Sequence, residues 1–163
     1  GIVLASHGKY IGASSIPFAD YKRKKGDQVG LHWRIPGMIG KRSVRHVLID
    51  TNYWKSFVQA RLSVAMGDVG CLSLYGRDET THRLLAEHLT AEYCVRTTAR
   101  DRVVDEWKLK AIRPDNHWLD GLVGCGVAAS ISGIKLFGTQ SAEQEHRRRY
   151  KLSELQKNGR KMA

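Results

Sequence analysis

The sequence predicts an α/β fold, a mixed sheet flanked by helices, and three stretches carry that prediction. "SVRHVLIDTNYWKSFVQARL" (43–62) changes from an apolar strand to a helical repeat at Asp50. "RVVDEWKLK" (102–110) alternates with the period of two that marks a strand. "DNHWLDGLVGCGVAAS" (115–130) places Leu119, Leu122, Val123, Gly126 and Val127 at i, i+3, i+4, i+7 and i+8, one face of a helix. Strands followed by helices along one chain are the mark of the α/β class.

In chain order, "GIVLAS" (1–6) alternates too little for an exposed strand and reads as a short buried one. From His7 to Gly40 the pattern is irregular. Within it Lys22, Arg23, Lys24 and Lys25 form a basic run that is either a solvated loop or one that contacts phosphates. Tyr21 and Trp33 nearby are candidates to stack on bases, and the basic character of the whole chain tips the reading toward contact. Val44 and His46–Ile49 predict a strand that stops at Asp50, where Asp50 or Thr51 caps a helix. Trp54, Phe57, Val58 and Leu62 then share that helix's apolar face. An aspartate where a strand meets a helix is a common site geometry in α/β folds, and equally a plain cap. Residues 66–76 predict a turn and a short strand at Cys71–Tyr75. "DETTHRLLAEHLTAEYCV" (78–95) predicts one helix, and "RTTARD" a turn before the edge strand at 102–110.

The last helix raises a question of cost. Asp115, following Pro114, is its predicted N-cap. Gly121, Gly124, Cys125 and Ala128 make a nearly bald second stripe. Glycine inside a helix costs about 1 kcal/mol against alanine, so close packing of this stripe on a sheet is the expected compensation. Asp120, in the first turn, is favoured by the helix dipole. It is either a helix-starting acid or a carboxylate offered to a divalent metal, since hard ions prefer oxygen ligands.

Composition narrows the function. A chain of 163 residues that is 42% apolar can bury one core. No run approaches the roughly 20 apolar residues of a membrane span, and the opening residues have no signal-peptide pattern. That opening reads as a fragment or a trimmed chain. Lys plus Arg number 27 against 16 acids, a net charge of +11 and a pI near 9.8. Such an excess points to a polyanion, most often nucleic acid, against the bland alternative of a merely soluble basic surface. Cys71, Cys94 and Cys125 are odd in number and match no zinc spacing, so they read as small apolar residues in a reducing compartment. Residues 1–138 form the predicted domain, and 139–163 a basic, loosely attached tail.

The ordered motifs resemble a family. Asp50, Thr51 and Lys55 fit D-T-x-x-x-K; Leu89–Glu92 fit L-T-A-E; Trp107 stands on the next strand; Asn116, Leu119 and Asp120 fit N-x-x-L-D, with Gly121 where the family has cysteine. Over roughly residues 43–130 this is similar to the C-terminal nuclease region of phage terminase large subunits of the lambda-like GpA group. The resemblance implies an RNase H-like nuclease fold, here lacking its first strands, in which acids from two strands and one helix hold Mg²⁺ or Mn²⁺ for cutting double-stranded DNA. It makes Asp120 the helix acid and metal ligand. Asp50 is a possible replacement for a missing strand acid, or with Lys55 a residue facing DNA. Lys22–Lys25 would hold phosphates. The resemblance also implies that the intact protein packages viral DNA in the host cytoplasm, with a small terminase subunit and a portal as partners. The two strand acids of the family are not evident here, and no phosphate-binding loop of an ATPase motor occurs. The alternative is a non-catalytic, basic DNA-binding module of the same descent.

Overall fold

The structure, a computed structural model, describes residues 3–38, 44–112 and 115–137. Their strands are β1 (Ala5–Lys9), β2 (Gln28–Gly30), β3 (Trp33–Ile35), β4 (His46–Asp50), β5 (Glu92–Ala99) and β6 (Arg102–Leu109). The helices are α1 (Thr51–Leu62), α2 (Arg83–Leu89) and α3 (His117–Ile131). Four strands form a mixed sheet in the order β1-β4-β3-β2, and β5 and β6 form a separate antiparallel hairpin. β1 runs parallel to β4, with Ser6 beside Val47 and Gly8 beside Ile49. β3 runs antiparallel to β4, with Trp33 beside Ile49. The α/β class holds.

One face of the sheet makes the core. Val47 and Ile49 of β4 and Trp33 and Ile35 of β3 are buried together with Trp54 and Val58 of α1 and Leu119, Val123 and Val127 of α3. The apolar spacings of both helices therefore do what their periodicity predicts. Trp54 is fully buried and its indole N–H donates to the His32 carbonyl at 3.2 Å, so burial leaves no unpaired donor. The Trp33 indole similarly donates to Ser130 Oγ at 3.0 Å, tying β3 to α3. The hairpin is fastened to α1 by Trp107, whose backbone N–H donates to Asn52 Oδ1 at 2.9 Å. Its indole donates to Ser56 Oγ at 2.8 Å.

Several local expectations change. β1 begins later than the predicted 1–6 strand, and all of its residues are exposed rather than buried. Its single strand neighbour among the described residues is β4, so its other edge is unpaired there. β2 and β3 were hidden in the irregular segment because each has only three residues, too few to show a period. No strand forms at 71–75. The predicted helix 78–95 is a short 3₁₀ turn at Glu79–His82 followed by α2, which ends at Leu89. The chain then enters β5, whose Tyr, Cys, Val and Thr residues favour a strand. The turn lies not at 96–101 but at Arg100 and Asp101 alone, both at positive φ (51° and 57°), the geometry of a two-residue hairpin. The tail at 139–163 lies outside the described residues.

The bald stripe of α3 also behaves differently. The close contact is instead on the apolar face, at Gly126, where a Cβ would stand 3.3 Å from the Trp54 ring. Around Gly121 and Gly124 a Cβ would meet nothing within 4 Å. Gly124 and Ala128 instead line a groove of about 540 Å³ with Leu4, Ile35, Val47 and Ile131. The close approach of α3 is therefore at one glycine, and it is to α1 rather than to the sheet. Gly124→Ala and Gly121→Ala are each expected to stabilise the chain by about 0.5–1 kcal/mol in urea unfolding, because nothing opposes the gain in helix propensity. A loss of stability at Gly124→Ala would show that the groove is filled.

Candidate active site

Three separated segments bring their motif residues to one point. Lys55 lies in the second turn of α1, beyond the Asp50 cap. Glu92 opens β5. Asn116 is the N-cap of α3 and Asp120 lies in its first turn. The Lys55 ammonium is 2.5 Å from Glu92 Oε1 and 3.4 Å from Asp120 Oδ1. The Asn116 amide donates to the same Glu92 oxygen at 2.5 Å. Asn116 thus spends its side chain on Glu92 and makes no cap hydrogen bond to α3. Asp115, the expected cap, is not the cap.

Local structure fixes Glu92 here. Gln59 of α1 donates to the Leu89 carbonyl at 2.8 Å, holding the end of α2 against α1. Ala91 is fully buried, and its carbonyl accepts from Lys110 N at 2.9 Å. The next side chain, Glu92, must therefore enter the space between α1 and α3. Burial then separates the members. The side chains of Lys55 and Glu92 are 11% and 4% exposed, whereas that of Asp120 is 52% exposed. One cation and two anions leave the cluster with one net negative charge, carried to the surface by Asp120. What the arrangement offers is a carboxylate held by a buried ammonium and open to solvent on its free side.

Asp50 occupies a different place. Its Oδ1 accepts from Tyr53 N at 3.2 Å, capping α1, and its Oδ2 lies 3.1 Å from His32 Nδ1. Lys55 is five residues further on, about 140° around the helix at 3.6 residues per turn. The two motif residues therefore point to different surroundings. The His32 ring stacks on Tyr53, centroids 3.6 Å apart and planes 6° from parallel. Burial, then the Asp50 charge, raise the Tyr53 hydroxyl above the usual tyrosine range.

The basic run lies at a third place. Lys22, Arg23, Lys24 and Lys25 are exposed, on a loop closed by Asp27. That carboxylate accepts from Gly37 N at 2.7 Å and Lys24 N at 2.7 Å, and pairs with the Arg34 guanidinium. Arg34 also donates to the Lys22 carbonyl at 2.6 Å. The Gly37 N–H, then Arg34 and the Lys24 N–H, hold the Asp27 carboxyl well below the ordinary carboxylate range. Lys22, Lys24 and Lys25 face a cavity of about 570 Å³ with Tyr21 and Arg34. Because the folded state lowers the Asp27 pKa, its stabilisation is complete above the unfolded value of about 3.9. It is lost as pH falls through the lower folded value. Acid unfolding followed by circular dichroism should therefore show less loss below pH 4 in Asp27→Asn than in the wild type, from a lower starting stability.

Glu106 of β6 closes the opposite side. Its Oε1 accepts from Ala13 N at 3.1 Å. The Tyr10 hydroxyl and this N–H hold its carboxyl below the usual range. The Tyr10 phenol is pushed up to about 12, by burial first and by Glu106 second.

The sequence matches the family described as terminase large subunit gpA, endonuclease domain, over residues 17–144. The chain belongs to that family. The match spans every residue of the Lys55–Glu92–Asn116–Asp120 cluster. No curated protein and no solved structure matches the chain. In this gpA endonuclease segment, Asp120 and Lys55 stand together, while Asp50 and the Lys22–Lys25 loop each stand apart from them in the described contacts. The sequence set Glu92 as a residue of the fold or a helix surface against one that reaches the site, and showed Asn116 only as part of N-x-x-L-D. The available signal was L-T-A-E standing directly before a β-branched run, which ends the helix and turns Glu92 inward. Among the described residues no three His, Cys, Asp or Glu side chains converge to hold a metal ion. Glu92 is already taken by Lys55 and Asn116, so the residues present do not by themselves fit a divalent-metal centre. No helix among the described residues is long and apolar enough to cross a membrane.

Proposed function

We propose that this chain contributes the Asp120 carboxylate to phosphodiester cleavage by a terminase endonuclease during viral DNA packaging. The observation that supports it most is the meeting of Lys55, Glu92, Asn116 and Asp120, from three motifs far apart in sequence, within a chain matched by the endonuclease-domain family. In this reading Asn116 and Glu92 fix Lys55, and Lys55 fixes one oxygen of Asp120. The other oxygen faces the DNA side. The net charge of +11 supports double-stranded DNA as the substrate, bound mainly through its phosphates. An RNase H-like sheet, Mg²⁺ or Mn²⁺, and further acids from elsewhere complete the reading. The small subunit and portal belong to the intact assembly in the host cytoplasm. Nicking of supercoiled plasmid with Mn²⁺, compared between wild type and Asp120→Asn, tests it.

A second reading has its own support. The lack of a third converging acid among the described residues favours a DNA-binding module without catalysis of its own. A chain that binds DNA tightly and never nicks it, with either Mg²⁺ or Mn²⁺, would decide for this reading.

A further inference from the structure

A second constellation lies at the other end of α1, built around a histidine with only one free atom. His32 sits in the turn between β2 and β3 at φ 50°, a conformation that a non-glycine residue adopts at a cost of about 1 kcal/mol or more. Its carbonyl, its ring face and Nδ1 are all engaged. Its carbonyl accepts from Asp50 N at 3.0 Å and from the Trp54 indole at 3.2 Å. Its ring lies flat on Tyr53, and Nδ1 faces the buried Asp50 carboxylate. With Nδ1 held in that way, Nε2 is the atom left to act, and the side chain is 38% exposed.

The space around it is a cavity of about 360 Å³ that His32 shares with Ser56, Arg102 and Asp105. Arg102 uses one nitrogen to donate to the Ser15 carbonyl at 2.7 Å, leaving the rest of its donor fork available. Ser56 Oγ accepts from the Trp107 indole, so its own hydroxyl hydrogen remains to be given. Neither nearby acid repels an anion unopposed. Both Asp50 oxygens are occupied, and Asp105 pairs with Arg96 at 3.2 Å.

We propose that this cavity seats a backbone phosphodiester of bound DNA, gripped by Arg102, the His32 imidazole and the Ser56 hydroxyl. Asp50 is the positioning residue: its carboxylate orients the ring and balances the imidazolium. This inference rests on DNA being the substrate, and assigns it a grip distinct from the Asp120 cluster. Arg96, which stands opposite Asp105, is four positions along β5 from Glu92. At about 3.3 Å per residue the two places are on the order of 13 Å apart, so one duplex can reach both. A phosphate oxygen accepts hydrogen bonds only and Nδ1 is held by Asp50, so His32 grips it as the imidazolium, through Nε2–H. The titratable and charged groups facing it are Asp50 and Tyr53 from the start of α1, and Arg102 and Asp105 from the hairpin.

Fluorescence anisotropy with a 30-base-pair duplex, measured across NaCl concentration and between pH 6 and 8, tests the proposal. For Arg102→Gln, Kd should rise several-fold and the slope of log K against log salt should fall by about one. For wild type, Kd should rise with pH, and this dependence should be absent in His32→Gln and weakened in Asp50→Asn. His32→Gly, which keeps the turn conformation without the ring, should match His32→Gln in DNA binding. All binding is read without divalent metal, where no cutting occurs, so failure of the nuclease reading leaves these results untouched and the two failures are separable. Wild-type Kd and salt slope in folded Arg102→Gln, an unchanged pH response in His32→Gln, or a wild-type chain that binds no duplex at 50 mM salt would each overturn the proposal.

Discussion

Lys55→Met is expected to cost about 3–5 kcal/mol of stability, the usual result of removing one member of a buried ion pair. Methionine keeps most of the apolar stem, so the loss reports the charge rather than a cavity. Without the ammonium, Glu92 would remain 4% exposed with Asn116 as its sole described partner, and a buried carboxylate without a counter-charge is what makes the penalty large. The partner substitution separates this account from simple packing. Lys55→Met combined with Glu92→Leu should recover most of the loss, because an apolar pair of similar volume is often neutral against a buried ion pair. Urea unfolding of both variants measures the difference. A single variant within 1 kcal/mol of wild type would mean that Glu92 reaches solvent and the cluster is not organised as described.

The second large effect concerns activity rather than stability. Asp120 is half exposed and its ion pair with Lys55 spans 3.4 Å, so Asp120→Asn should change stability by no more than about 1 kcal/mol. Cleavage should fall by at least about 100-fold, the lower end of what one positioned acid–base group contributes. That separation, activity lost with the fold kept, follows from the burial gradient across the cluster. Glu92 holds the interior end and Asp120 the exterior one.

How much of this was legible in the sequence differs by element. β4, α1, β6 and α3 were readable because each is long enough to show its period and carries a cap or a breaker at its end. β2 and β3, of three residues each, carry too little pattern, and they form because β4 offers β3 an edge and β3 offers one to β2. β5 was read partly as helix because "HLTAEYCV" continues the apolar spacing of α2. Thr90 ends that helix by turning its hydroxyl back to the Ala86 carbonyl at 2.8 Å. For the site, Lys55 and Asp120 were legible as motif residues, but their pairing was not. It depends on Glu92, which acts only once the α2–β5 turn aims it inward. Asp50 shows the reverse: its position at a strand end was plain, yet its partner, His32, lies 18 residues earlier in a turn that no periodicity marks. The glycines of α3 were read as a packing surface. Gly121 and Gly124 have open space beside them, and the one tight approach, of Trp54 at 3.3 Å, is to Gly126 on the apolar face.

The most direct test of the central claim, that Asp120 is the acid this segment brings to the endonuclease site, is nicking of supercoiled plasmid with Mn²⁺ by wild type and by Asp120→Asn at matched DNA occupancy. The account predicts open-circular product from the wild type, and at least about 100-fold less from the variant at that occupancy. Equal nicking rates for the two proteins would contradict it.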